Sequence, residues 1–265
     1  MRRLAMGLGL MLCGCGAGTG SALISFTATA GGPADAVAGS PLTFQNSLGW
    51  QVSLTRARIH VGAMYLTTIE PSSGIGEQSC TLPSGQTAAY VAEAFAPAIQ
   101  MVDMLSPALA SFPGSGEGIS LQSKTAQVWL TGGDVNSPID PTVILDVAGT
   151  ATQGATSVPF SATLTISQNR TIPVVNPAEP GSNPICRERI VQPIQFSVLP
   201  TQGGALELRV DPRPMFAAVD FSTLPLAPGS TDQFLIPDTS AGAGQTLFNG
   251  MLSIGGVYQF NWVPQ

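Results

Sequence analysis

The chain has 265 residues, 44% of them apolar and only 10% charged, with 30 Gly and 22 Pro. That is enough apolar material for one large core, and so little charge with so many chain breakers argues for short strands and turns rather than long surface helices. Ten basic residues face 16 acidic ones, and Lys124 is the only lysine. Such a chain has no clustered positive surface for phosphates, which excludes nucleic-acid binding as a class.

Arg2 and Arg3, the apolar run Leu4 to Leu12, and the tetrad Leu12-Cys13-Gly14-Cys15 form a targeting segment too short to span a membrane as a mature helix. The tetrad resembles the lipobox of bacterial lipoproteins, with Leu at its first position and a small residue before the cysteine. The resemblance implies that residues 1–14 are a signal peptide, that Cys15 carries the lipid, and that residues 15–21 link it to a single domain over residues 22–265. Gly16 after the acceptor, rather than Asp, implies the outer membrane before the inner one. A plain secretory signal cut a few residues later is the competing reading. Removing Arg2 and Arg3 from the ten basic residues leaves eight against 16 acids, a mature charge of −8 with His60 neutral. The membrane is then a partner through the lipid and not through a basic patch. Of the four cysteines, Cys80 and Cys186 remain after the leader pair, and two cysteines in an exported chain predict one disulfide.

Ala22 to Ala28 reads as the first strand and Pro41 to Phe44 as the second, with Asn46 to Gly49 turning the chain back. Trp50 to Leu66 follows as the longest run of strand-type residues. Its alternation changes phase: Trp50, Val52 and Leu54 are apolar at even positions, whereas Ala57, Ile59 and Val61 are apolar at odd ones. One flat strand would turn half of these to water, so the phase predicts a bulge or corner near Thr55 and Arg56. Arg56, Arg58 and His60 then share one face, a candidate anion or partner surface, or simply a charged solvent face.

Residues 71–85 form a loop holding Cys80. Good helix formers at mixed three- and four-residue steps predict one or two short helices around residues 87–109, interrupted by Pro97 and Pro107, with Met101 and Met104 on a greasy face. Strands are predicted over residues 122–131, 143–151, 158–166, 192–199 and 205–210, separated by Gly- and Pro-based turns. Leu206, Leu208 and Val210 face the core, with Glu207 and Arg209 in water. A short helix or turn follows over residues 215–224, and a last strand over residues 255–262 places Tyr258, Phe260 and Trp262 on one face as a core anchor. Strands in series with short turns predict an all-β chain, a single antiparallel β-sandwich.

Chemistry-bearing patterns are few. A histidine-dependent triad would have to use His60, the only histidine, in mid-strand, and no G-x-S-x-G elbow accompanies it. Asp134, Asn136 and Asp140 offer hard oxygens at ligand-like spacing, but the EF-hand Gly and terminal Glu are missing and these are ordinary turn residues. No cofactor is implied. Three functional classes follow: a non-catalytic binding or structural module in the bacterial envelope with a protein or glycan partner, an exported hydrolase working through two carboxylates on glycan or peptide, and a periplasmic metal handler built on His60 and Met64. The first is the primary expectation. The second needs two carboxylates across a cleft beside an aromatic platform, and the third has too few ligands for a tight site.

Overall fold

The computed structural model describes residues 22–68, 90–94, 100–130, 141–166 and 190–265. The strands in chain order are β1 (Leu23–Gly31), β2 (Leu42–Gln45), β3 (Gln51–Val61), β4 (Met64–Thr67), β5 (Tyr90–Ala94), β6 (Gln100–Asp103), β7 (Ala110–Ser111), β8 (Gly116–Ile119), β9 (Ser123–Trp129), β10 (Val143–Gln153), β11 (Thr156–Thr165), β12 (Ile190–Val198), β13 (Ala205–Val210), β14 (Phe234–Ile236) and β15 (Tyr258–Val263). A 3-10 turn, Arg213–Phe216, and one α-helix, α1 (Gly242–Met251), interrupt the last third. The chain is all-β, as composition predicts. Among the described residues no helix is long and apolar enough to cross a membrane.

Nine strands form one sheet in the order β12-β9-β4-β5-β8-β1-β13-β15, with β7 beside β1, and six form the other in the order β14-β11-β10-β3-β2, with β6 beside β3. Pairing is antiparallel except for β1 with β13 and β11 with β14. Alternation places Ile24, Phe26, Ala28 and Ala30 of β1 and Leu206, Leu208 and Val210 of β13 in one continuous buried cluster with Val52, Leu54, Ala57 and Ile59 of β3 and Phe160, Ala162 and Leu164 of β11. The sheets thus sandwich a single core. The larger sheet curls until its terminal strands approach, with Phe196 and Phe260 at a ring separation of 5.5 Å.

The phase change in β3 is a bulge. Leu54 pairs with Gly149 and Arg56 with the preceding Ala148, so Thr55 is the unpaired extra residue that returns both halves of the apolar set to the core. Gly149 is required there: a Cβ would overlap Ser53 O and stand 3.0 Å from Leu54 Cα. At the bulge the outer edge of β3 also changes partner, from β2 along residues 51–54 to β6 along residues 58–61.

Two expectations are corrected. Where helices are predicted around residues 87–109, the described backbone forms β5 and β6, and only Met104 and Leu105 make a turn. The alternation in β6 gives the reason: Val102 is buried while Met101 and Asp103 are exposed, and pairing along Val61 to Arg58 of β3 overrides the local helix propensity of this short run. Among the described residues the α-helix is α1, which buries Leu247, Phe248 and Met251. Arg209, expected in water opposite Leu208, is half-buried and donates to Gly32 O at 3.0 Å and to Pro107 O. Tyr258, Phe260 and Trp262 do pack on the core: Tyr258 is buried and donates its hydroxyl to Met251 O at 2.9 Å, and Trp262 meets Phe26 edge-on at 5.2 Å.

The base of the six-stranded sheet is closed by an aromatic group in which Phe160 lies 4.8 Å from Phe221 and 5.9 Å from Phe216, with Trp50 against Phe221 at 5.6 Å. Buried Asn46 ties the β2–β3 hairpin to it. Its amide donates to Phe216 O at 3.3 Å and Val219 O at 2.8 Å, and its carbonyl accepts from Leu48 N and Trp50 N at 3.0 Å each.

Candidate functional site

Because side chains alternate along a strand, the bulge that turns Ala57 and Ile59 inward turns Arg56 and Arg58 outward. Antiparallel register then places specific neighbours beside them. Arg58 stands opposite Asp103 on β6 and opposite Asp146 on β10, and Asp146 in turn stands opposite Thr163 on β11. The outer face of the sheet therefore carries a straight row across four strands: Asp103, Arg58, Asp146, Thr163.

The charges in and beside this row are unequally committed. Arg56 Nε donates to Asp146 Oδ1 at 2.9 Å, so that carboxylate is taken by the neighbouring row. Asp103 Oδ1 accepts from Leu105 N at 3.0 Å, which holds the turn after β6. Arg58 is exposed and, among the described residues, has no hydrogen bond or ion pair. An open hollow of about 510 Å³ is lined by Arg58, Met101, Asp103, Val143, Asp146 and Thr163, and a second of about 300 Å³ adjoins Gly39, Pro41, Thr55, Arg56 and Leu105. Arg58 and Asp103 line both.

His60 does not join them. It lies in β3 as expected but is fully buried, opposite Met101 in register, and lines neither hollow. Met64, its proposed partner in metal handling, is buried in β4 of the other sheet. Among the described residues no group of three His, Cys, Asp or Glu side chains is placed to hold a metal ion. Cys15, Cys80, Cys186, Asp134, Asn136 and Asp140 lie outside the described residues.

Asp103 and Asp146 were not singled out by sequence. Asp146 carried a usable signal, an acid between Leu145 and Val147 in an alternating strand, but Asp103 was concealed in a segment read as helix. They flank one strand, so their Cα atoms are separated by two strand spacings, about 10 Å. A carboxylate pair for glycoside hydrolysis needs one protonated and one ionised member beside a sugar platform. Here Asp146 is in an ion pair, and no described aromatic side chain lines either hollow.

Among the described residues the densest charged cluster lies elsewhere. Arg213 meets Asp211 through Nε and Nη2 at 2.9 and 2.7 Å and grips both oxygens of Asp35 at 2.7 and 2.9 Å. These bonds raise the guanidinium above its ordinary value, and the Arg213 hydrogen bond holds the Asp35 carboxyl below the usual range. Every face of the fork is used, so the cluster is a strap between the loop after β1 and the end of β13. Comparison of the chain with protein-family models, with curated proteins and with solved structures finds no match.

Proposed function

We propose that the protein is a non-catalytic binding module anchored in the bacterial cell envelope, outer membrane before inner, by a lipid on Cys15 and stapled between Cys80 and Cys186. Its partner docks on the outer face of the six-stranded sheet. The observation that carries this reading is Arg58: an exposed guanidinium with no described partner, held in register between two carboxylates and shared by two hollows. A guanidinium fork with open donors suits a carboxylate or phosphate, and Asp103 beside it suits a donor group. With Arg56 and Asp146 neutralising each other, what remains is one positive and one negative group. That balance favours an envelope protein or glycan surface bearing both an acidic and a donor group over a free anion, which Asp103 would repel.

The test is photo-cross-linking in intact envelopes, with the reactive residue at Thr163 in the row and, as control, at Gln259 on the exposed side of β15. A discrete adduct from position 163 and none from 259 supports the reading; equal, diffuse labelling from both overturns it. Mass measurement of the mature chain tests the anchor and the staple separately, since free Cys15, or free thiols at Cys80 and Cys186, would remove each.

A further inference from the structure

Nine large apolar side chains are exposed among the described residues, and four of them, Leu23, Leu121, Leu199 and Val263, stand at one end of the nine-stranded sheet. Isolated exposed apolar residues need no explanation. Their placement does. β1 begins at this end, where Leu23 pairs with Ile119 at the close of β8 and Ser120 N donates to Ala22 O at 2.8 Å. β12 finishes there, with Val198 opposite Ser123 and Gln122 Nε2 donating to Ser197 Oγ at 3.1 Å. The link from β12 to β13 is tied to the same corner, with Gly203 N donating to Ser25 O at 2.8 Å and the Gln202 amide exchanging two 2.9 Å bonds with Ser25. β15 ends beside it, Val263 pairing with Ala205.

Charge is distributed unevenly as well. The chain has 16 acidic residues, yet residues 22–23, 119–124, 199–204 and 263–265 contain none, and Lys124 is their only charged residue. The nearest acid on β8, Glu117, stands two residues inward, opposite Ser25. The link from β4 to β5, with Glu70 and Glu77, leaves from the same end and lies outside the described residues.

From these observations we infer that this end of the sandwich is the membrane-facing end, and that Leu23, Leu121, Leu199 and Val263 seat on the lipid surface. The inference rests on the anchor proposed above. Cys15 precedes Ala22 by seven residues, a span of at most about 25 Å, whereas the opposite end of the sheet lies a further 30 Å or so along β1. The link is too short to present the far end to the bilayer. Leu23 is 84% exposed at the point where that link enters the fold. An acidic chain is repelled by anionic lipid, and the end without described acidic side chains is the one that approaches at lower electrostatic cost. A bilayer also fits separate apolar side chains around a rim, whereas a protein partner calls for a continuous packed patch.

The experiment is amide hydrogen exchange on the full-length lipidated protein, inserted in vesicles of phosphatidylethanolamine with a minority of phosphatidylglycerol. The same preparation in detergent is the reference, and a Leu23→Asp, Leu199→Asp double variant is run in parallel. The inference expects exchange across residues 119–124 and 199–204 to slow about tenfold on vesicles in the natural sequence, to stay fast in the double variant, and to be unaltered at the β10–β11 turn. Equal exchange on vesicles and in detergent, with lipid on Cys15 shown by mass, overturns this inference alone. A free Cys15 overturns the anchor and the inference with it. Slowing that needs added envelope protein, and is not produced by lipid, overturns it in favour of a protein interface.

Discussion

Replacing Gly149 by alanine tests the bulge that sets the face of every side chain in β3. The added Cβ would overlap the carbonyl oxygen of Ser53 and stand 3.0 Å from Leu54 Cα, both backbone atoms with no rotamer to give way. The two strands must therefore separate at the centre of a sheet whose neighbouring side chains, Leu54, Ala57 and Val147, are fully buried. Overpacking a tight site costs about 1–3 kcal/mol, and a backbone clash belongs at the upper end, near 3 kcal/mol. For a domain of this size that corresponds to a melting temperature lower by about 6–12 °C. The comparison is Gly154→Ala, where φ is +59° and nothing lies within 4 Å of the new Cβ, so the cost is backbone strain alone, about 1–2 kcal/mol. Urea titration with an unchanged slope measures both. A Gly149→Ala midpoint within error of the parent, or a loss no larger than that of Gly154→Ala, would refute the bulge geometry.

Other consequences follow from single groups. Asn46→Ala removes the partner of the Val219 carbonyl and of the Leu48 and Trp50 amides, while Phe216 O keeps its bond from Val219 N, and should cost about 2–4 kcal/mol in the same titration, with Asn46→Asp at least as damaging because a carboxylate then faces two carbonyls. Burial pushes the Tyr258 phenol well above its ordinary value, so the unfolded chain ionises first and stability should fall as pH rises beyond about 10. Tyr258→Phe should lose about 1–2 kcal/mol at neutral pH and flatten that alkaline limb. Asp35 and Asp220 are held below the usual carboxylate range, the first by Arg213 and the second by the Ser222 backbone amide and hydroxyl. Their contribution is complete above about pH 4 and is lost as pH falls through the lowered folded values. Arg213→Gln should therefore weaken the dependence of stability on pH below 4, and an unchanged acid limb would dismiss the strap.

Much of the sandwich was legible because burial enforces alternation. The strands from Leu23, Leu42, Gln51, Val143 and Ala205 each show one apolar face, and the phase change at Thr55 announced its bulge in advance. What failed were segments where pattern and context disagree. The alanine-rich stretch around residues 87–109 has helix formers throughout, but alanine marks no face, and pairing of β6 to β3 decided its state. The reverse holds for α1, whose Gly242, Gly244 and Gly250 are poor helix formers. A Cβ at Gly244 would overlap Pro237 O and one at Gly250 would overlap Met215 O, so close packing demands the residues that local propensity disfavours. The candidate site was half visible. Arg56 and Arg58 could be placed on one face by counting, but their acids come from β6 and β10, and register between strands some 45 and 88 residues distant leaves no local mark. The same counting places His60 on that face, yet it is buried, because alternation says which way a side chain leaves the sheet and not what covers it.

Arg58 is the proposed open contact for an envelope partner. The most direct measurement is the yield of the adduct from position 163 in intact envelopes, compared between the natural sequence and Arg58→Gln, with urea midpoints recorded for both. An exposed arginine without a described ion pair contributes little to stability, so the unfolding free energies from the two titrations should agree within about 1 kcal/mol. A charge-assisted contact is worth about 1.5–3 kcal/mol, so the yield should fall by tenfold or more. An undiminished adduct at unchanged stability would contradict the claim.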